Sequence, residues 1–141
     1  MEKQKLKEAV TKAAKAIYKS LPVLIGVILL ISLANSLIPK SFYTVLFRNI
    51  PIIDSFIGAV TGSILAGNPI TSYVIGGELL RQGISLIAVT AFLVAWVTVG
   101  LVQLPAEAML LGKKFAITRN LTAFIFAIIV SIITVSILNI I

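Results

Sequence analysis

The side chains able to do chemistry gather in one stretch, Gly58 to Gly83, GAVTGSILAGNPITSYVIGGELLRQG. It carries the Asn68 amide, the hydroxyls of Thr71, Ser72 and Tyr73, the Glu78 carboxylate, and Arg81 and Gln82. In its middle, Gly67-Asn68-Pro69 interrupts a helical pattern, because proline disfavours helix in the residue before it and lacks its own N–H. A helix restarting over 70–80 offers first-turn N–H groups beside Thr71 and Ser72, an arrangement that attracts anions or carbonyl oxygens. Broken transporter helices use such ends in this way. The spacing therefore predicts a substrate path at Gly67, Asn68, Pro69, Thr71 and Ser72. A plain helical hairpin with a proline turn at the membrane surface accounts for the same residues. Glu78 and Arg81, three apart, fit an exposed ion pair. Pointed into a bundle, Glu78 would instead be the site for a coupling proton or cation.

Other chemistry is poorly supplied. The chain has no cysteine and no histidine, so it lacks disulfides, thiol chemistry, imidazole bases and the commonest metal ligands. No metal or cofactor site is expected, and no enzymatic activity. Asp54 is the single aspartate. It falls in the first turn of a helix opened by Pro51, where a carboxylate suits the helix dipole; carrying a proton is the alternative role.

The elements that must hold these groups belong in a membrane. Of 141 residues 59% are hydrophobic and 12% charged, where a soluble domain has about 25% charged. Mean hydropathy is +1.11, and the apolar runs suit a hydrocarbon layer of about 30 Å. The reading is an all-α integral membrane protein with three full transmembrane helices plus a proline-broken hairpin, four to five membrane segments in all. The full spans fall at 21–38, 84–104 and 121–141, and the hairpin at 51–83. Residues 1–20 form a basic helix with Leu6, Val10 and Ile17 at helical spacing, and 21–141 a single membrane domain. The basic helix is either a solvated extension of the first span or an interfacial helix on anionic lipid. Residues 41–50 read as an aromatic loop, and Pro105 opens a short helix in which Glu107 is a first-turn acid. No internal repeat is apparent.

Net charge is +7. The basic residues cluster at the ends of apolar segments, which points to orientation and anionic lipid rather than nucleic acid. Putting the N-terminal segment and 112–120 together in the cytosol collects nine Lys and Arg against three elsewhere. That places the C-terminus outside. The second hairpin arm, about 14 residues at about 1.5 Å each, is short for a crossing, so re-entry with the tip inside the membrane is expected. Gly58, Gly62 and Ala66 recur every fourth residue as a face for close helix packing.

The run from Gly58 through Phe92 resembles the ArsP/YraQ-type permease family. The likeness rests on a glycine-rich helix, the Gly-x-Pro break with hydroxyl residues after it, Glu-Leu-Leu-x-x-Gly, and Ala91-Phe92-Leu93 of a following span. It covers roughly residues 54 to 140 and implies a multi-pass permease whose break lines the path. The resemblance implies about half the length typical of that family, hence a half-sized permease completed by homodimerisation. Parallel copies fit the charge bias, and antiparallel pairing is the alternative. Arsenical-exporting members carry cysteines near the break where this chain has Asn68, Thr71 and Ser72, so soft thiolate ligation of arsenic is not on offer. A small polar or anionic solute is expected instead. A non-transporting scaffold, packing against a partner through the Gly58/Gly62/Ala66 face, is the rival reading.

Overall fold

The computed structural model describes residues 2–37, 47–65 and 68–141. Every regular element among them is a helix. The order is α1 (Glu2–Leu37), α2 (Pro51–Ile64), α3 (Pro69–Arg81), α4 (Leu86–Thr98), α5 (Leu104–Leu111) and α6 (Lys113–Leu138). The chain divides into two compact units, Met1–Leu37 and Ile38–Ile141.

The first unit is α1 alone, 36 residues of unbroken helix. The basic segment and the apolar segment are one continuous rod, and Leu6, Val10 and Ile17 are exposed along it. Pro22, the second residue of the span expected at 21–38, lies in the helix interior. There it withholds the N–H that the Tyr18 carbonyl would take in a regular helix.

The second unit is built around α2 and α4. Gly58 meets the Ala88 carbonyl and Gly62 the Phe92 carbonyl; a Cβ on either glycine would lie 2.1 or 2.3 Å from that oxygen. The paired numbers rise together, so the two helices run parallel, their backbones in close approach as small residues allow. Ala59, Ala91, Ala95, Val99 and Ala127 form the buried cluster between α2, α4 and α6. The helix α3 returns alongside α4, Gly76 sitting against Val89 and Leu93. Between them Ile84 N–H donates to the Leu79 carbonyl at 3.1 Å and Gly83 N–H to Leu80 at 3.0 Å. Gly83 has φ +85°. This is a Schellman ending, sealed by buried Ile84 against Leu79. Helix α6 buries Ala116, Asn120, Ala127, Ser131 and Val135 along one stripe, and Phe124 packs edge-on against Phe56 of α2 at 5.7 Å.

Among the described residues two helices, one over Gln4–Leu30 within α1 and the other α6, are long and apolar enough to cross a membrane. The apolar run 84–104, expected as a third, is helical only over 13 residues, about 20 Å at 1.5 Å per residue. It stops because Val99 turns extended, with φ −102° and ψ 117°. The next amide, Gly100 N–H, goes to the Asn120 side chain at 2.8 Å instead of back into the helix.

A repeated unit emerges that the sequence reading did not find. Helix α2 ends in an extended residue, Leu65, and a short helix with proline in its first turn follows; α4 ends in extended Val99, and α5 opens the same way. Each short helix is followed by a glycine of positive φ, Gly83 at +85° and Gly112 at +92°.

Candidate functional site

The interruption after α2 is wider than the tripeptide suggested. Helix ends at Ile64, Leu65 is extended (φ −79°, ψ 135°), and α3 begins at Pro69. Gly67, and Ala66 of the small-residue face, lie outside the described residues. Asn68 is exposed and caps α3: its side-chain oxygen accepts the Ile70 N–H at 3.0 Å and its carbonyl accepts the Thr71 N–H at 2.9 Å. Pro69 has no N–H to offer. The first-turn amides expected to greet a ligand are therefore already held by Asn68, as capping residues ordinarily hold them. Thr71 and Ser72 are buried, and the Ser72 hydroxyl donates to the Pro69 carbonyl at 2.7 Å.

What the structure brings to this break is the other break. Leu65 and Ser63 at the end of α2 share a cleft of about 40 Å³ with Thr98 at the end of α4, Gly100 and Gln103 beyond it, and Arg119 of α6. That volume is enough for one water or one small ion. The C-terminal, partially negative ends of both parallel helices point here. The Arg119 guanidinium pairs with Glu107 of α5 and lies 3.5 Å from the Thr98 carbonyl. Asn120, buried beside it, donates its amide to Glu107 Oε2 at 3.0 Å and to the Ala116 carbonyl at 2.9 Å. Glu107 is thus the tie between α5 and α6 rather than a simple first-turn acid. No spacing in the sequence links residues 98, 100, 107 and 119–120; the only signal was that two polar residues, Arg119 and Asn120, stand directly before a long apolar run.

Glu78 lies away from that cleft by position, toward the other end of α3. Its carboxylate takes the Gln82 amide at 3.0 Å and pairs with Arg81 at 3.7 Å, Arg81 being 82% exposed and Glu78 23%.

At the opposite end of the α2–α4 pair stands a residue the sequence treated as a local cap. Asp54 is fully buried. Its Oδ2 accepts the Ser85 hydroxyl at 2.7 Å, and its Oδ1 accepts the Arg48 backbone N–H at 3.1 Å. Ser85 is itself the N-cap of α4, accepting from Ala88 N–H at 3.4 Å. One carboxylate thus joins the loop before α2, the first turn of α2 and the start of α4. A cleft of about 290 Å³ opens beside it, lined by Asn49, Asp54, Ser85, Val135 and Asn139 among others.

The chain matches no protein-family model, no curated protein and no solved structure.

Proposed function

We propose that the chain is a half-sized membrane permease, active as a homodimer, whose substrate path passes the interruption between α2 and α3. One observation carries this reading: Leu65, where α2 stops, and residues 99 to 101 and 103, where α4 stops, border one polar cleft. In a chain with helices of membrane-crossing length, non-helical backbone persists where protein covers it or water reaches it, and paired broken helices are how many transporters build a site. In this reading the path runs from that cleft, bordered by Gln103 and Arg119, toward Asn68, Pro69, Thr71 and Ser72 of α3; Gly67, the other expected member, lies outside the described residues. The solute is small and polar or anionic, and Glu78 is a candidate for its coupling ion. In this reading the membrane unit consists of α1, α6 and the short helices between them in a multi-pass cell-membrane protein. The N-terminus and residues 112–120 face the cytosol, the C-terminus faces outside, and the six lysines of the first 19 residues rest on anionic lipid. The cleft then opens on the cytosolic side, since it holds Arg119.

Because the chain has no native cysteine, single cysteines at positions 68 to 72 can be labelled without background. A membrane-impermeant thiol reagent applied from the cytosolic side is expected to modify them. Labelling only by lipid-soluble reagents would sink the path.

A second reading, a non-transporting scaffold, draws on the capped state of the α3 amides, which is what an ordinary hairpin shows. It must find another interface, because Gly58 and Gly62 are taken by α4 of the same chain.

A further inference from the structure

We propose that the cleft beside Asp54 binds a small monovalent inorganic cation, with Asp54 as its charged ligand. This inference concerns binding alone and stands whether or not the chain transports a solute.

Asp54 is 0% exposed, and its two hydrogen bonds come from neutral donors, the Ser85 hydroxyl and the Arg48 amide. The ion pairs among the described residues are Glu78–Arg81 and Glu107–Arg119; none reaches Asp54. A buried carboxylate with no positive partner among the described residues is a costly arrangement, and ionisable groups inside membrane bundles mark ion pathways. The N-terminal ends of α2 and α4 converge on it, but helix ends supply partial charges that fade within a turn. An ionised carboxylate has about four lone-pair sites, and two are taken by described residues. The adjoining cleft brings three further oxygen-bearing side chains to the same place: Ser85 from the α4 cap, Asn49 before α2, and Asn139 after α6. Asn49 is the one non-glycine residue of positive φ among the described residues, at 57°. Asparagine tolerates that conformation better than most residues. All these donors are oxygens, which suit hard cations. A single carboxylate balances one charge, whereas divalent sites gather several.

The test uses the full chain in detergent micelles at constant ionic strength, with choline chloride exchanged for sodium, lithium or potassium chloride. The unfolding midpoint is followed by the fluorescence of Trp96, the single tryptophan. A ligand that binds only the folded state raises the midpoint saturably, so at least one inorganic cation is expected to do so. Asp54→Asn is expected to abolish the response. Asn139→Ala, one residue past the end of α6, is expected to raise the half-saturating concentration by about tenfold; it keeps the test alive if Asp54→Asn does not fold. A midpoint indifferent to the exchange overturns the proposal, as does a response unchanged in both variants. A midpoint that ignores every inorganic cation and follows only pH makes Asp54 a proton site and also overturns it.

Discussion

The side-chain oxygen of Asn120 accepts the Gly100 amide at 2.8 Å, 20 residues away along the chain. That bond replaces the one Gly100 would make within a continuing helix, and so it fixes where α4 stops. Replacing Asn120 with alanine leaves the Gly100 amide and one Glu107 oxygen without their partner. Each such orphan costs about 1–3 kcal/mol when buried. The expected result is a destabilised fold in chemical or thermal denaturation, with loss of about 2 kcal/mol or more.

Gly58 and Gly62 make a sharp comparison with Gly77. A Cβ at Gly58 would sit 2.1 Å from the Ala88 carbonyl oxygen, and at Gly62 2.3 Å from that of Phe92; around Gly77 there is nothing within 4 Å. Alanine at either of the first two is expected to push α2 from α4 and destabilise by about 1–3 kcal/mol. Alanine at Gly77 is expected to be neutral, or to stabilise by up to about 1 kcal/mol through helix propensity. Unfolding midpoints of the three variants decide it, and equal effects would contradict the packing described.

Ser85 does two jobs, capping α4 and donating to Asp54. Ser85→Ala is expected to cost about 1–2 kcal/mol from the cap alone. Asp54→Asn and the double variant complete a cycle whose coupling should fall within about 0.5–3 kcal/mol, since the two groups touch. Additive effects would mean that the 2.7 Å contact contributes nothing.

Asn68→Ala tests the cap of α3. Loss of the side-chain bond to Ile70 N–H is expected to cost about 1 kcal/mol. By contrast, Arg81→Gln should shift stability by less than about 1 kcal/mol and lose even that in high salt, because Arg81 is largely exposed.

Much of the local architecture was legible in the residues themselves. Prolines 51, 69 and 105 announce helix starts, since a missing N–H is harmless there, and all three sit in first turns. The Glu78–Arg81 pair followed from spacing alone. What stayed hidden depends on contacts between distant positions. Asp54 and Ser85 are 31 residues apart, and nothing in either neighbourhood marks the other. The run 84–104 misled because hydropathy records apolar content and is blind to where the backbone stops bonding to itself. The cap at the start of α3 was equally hidden: Asn68 accepts the Ile70 and Thr71 amides that the spacing alone left open to a ligand.

Helix α4 closes the first broken unit and opens the second, so both depend on its register. One residue inserted within Leu86–Thr98 would rotate everything after it by about 100°. Ala91 and Ala95 would swing off the α2 seam, or Gly100 would turn away from Asn120. The same insertion directly after extended Leu65 would fall beyond the last residue of α2 and leave that helix's seam with α4 intact. Tolerance to added length should therefore differ sharply between two apolar stretches only some twenty residues apart.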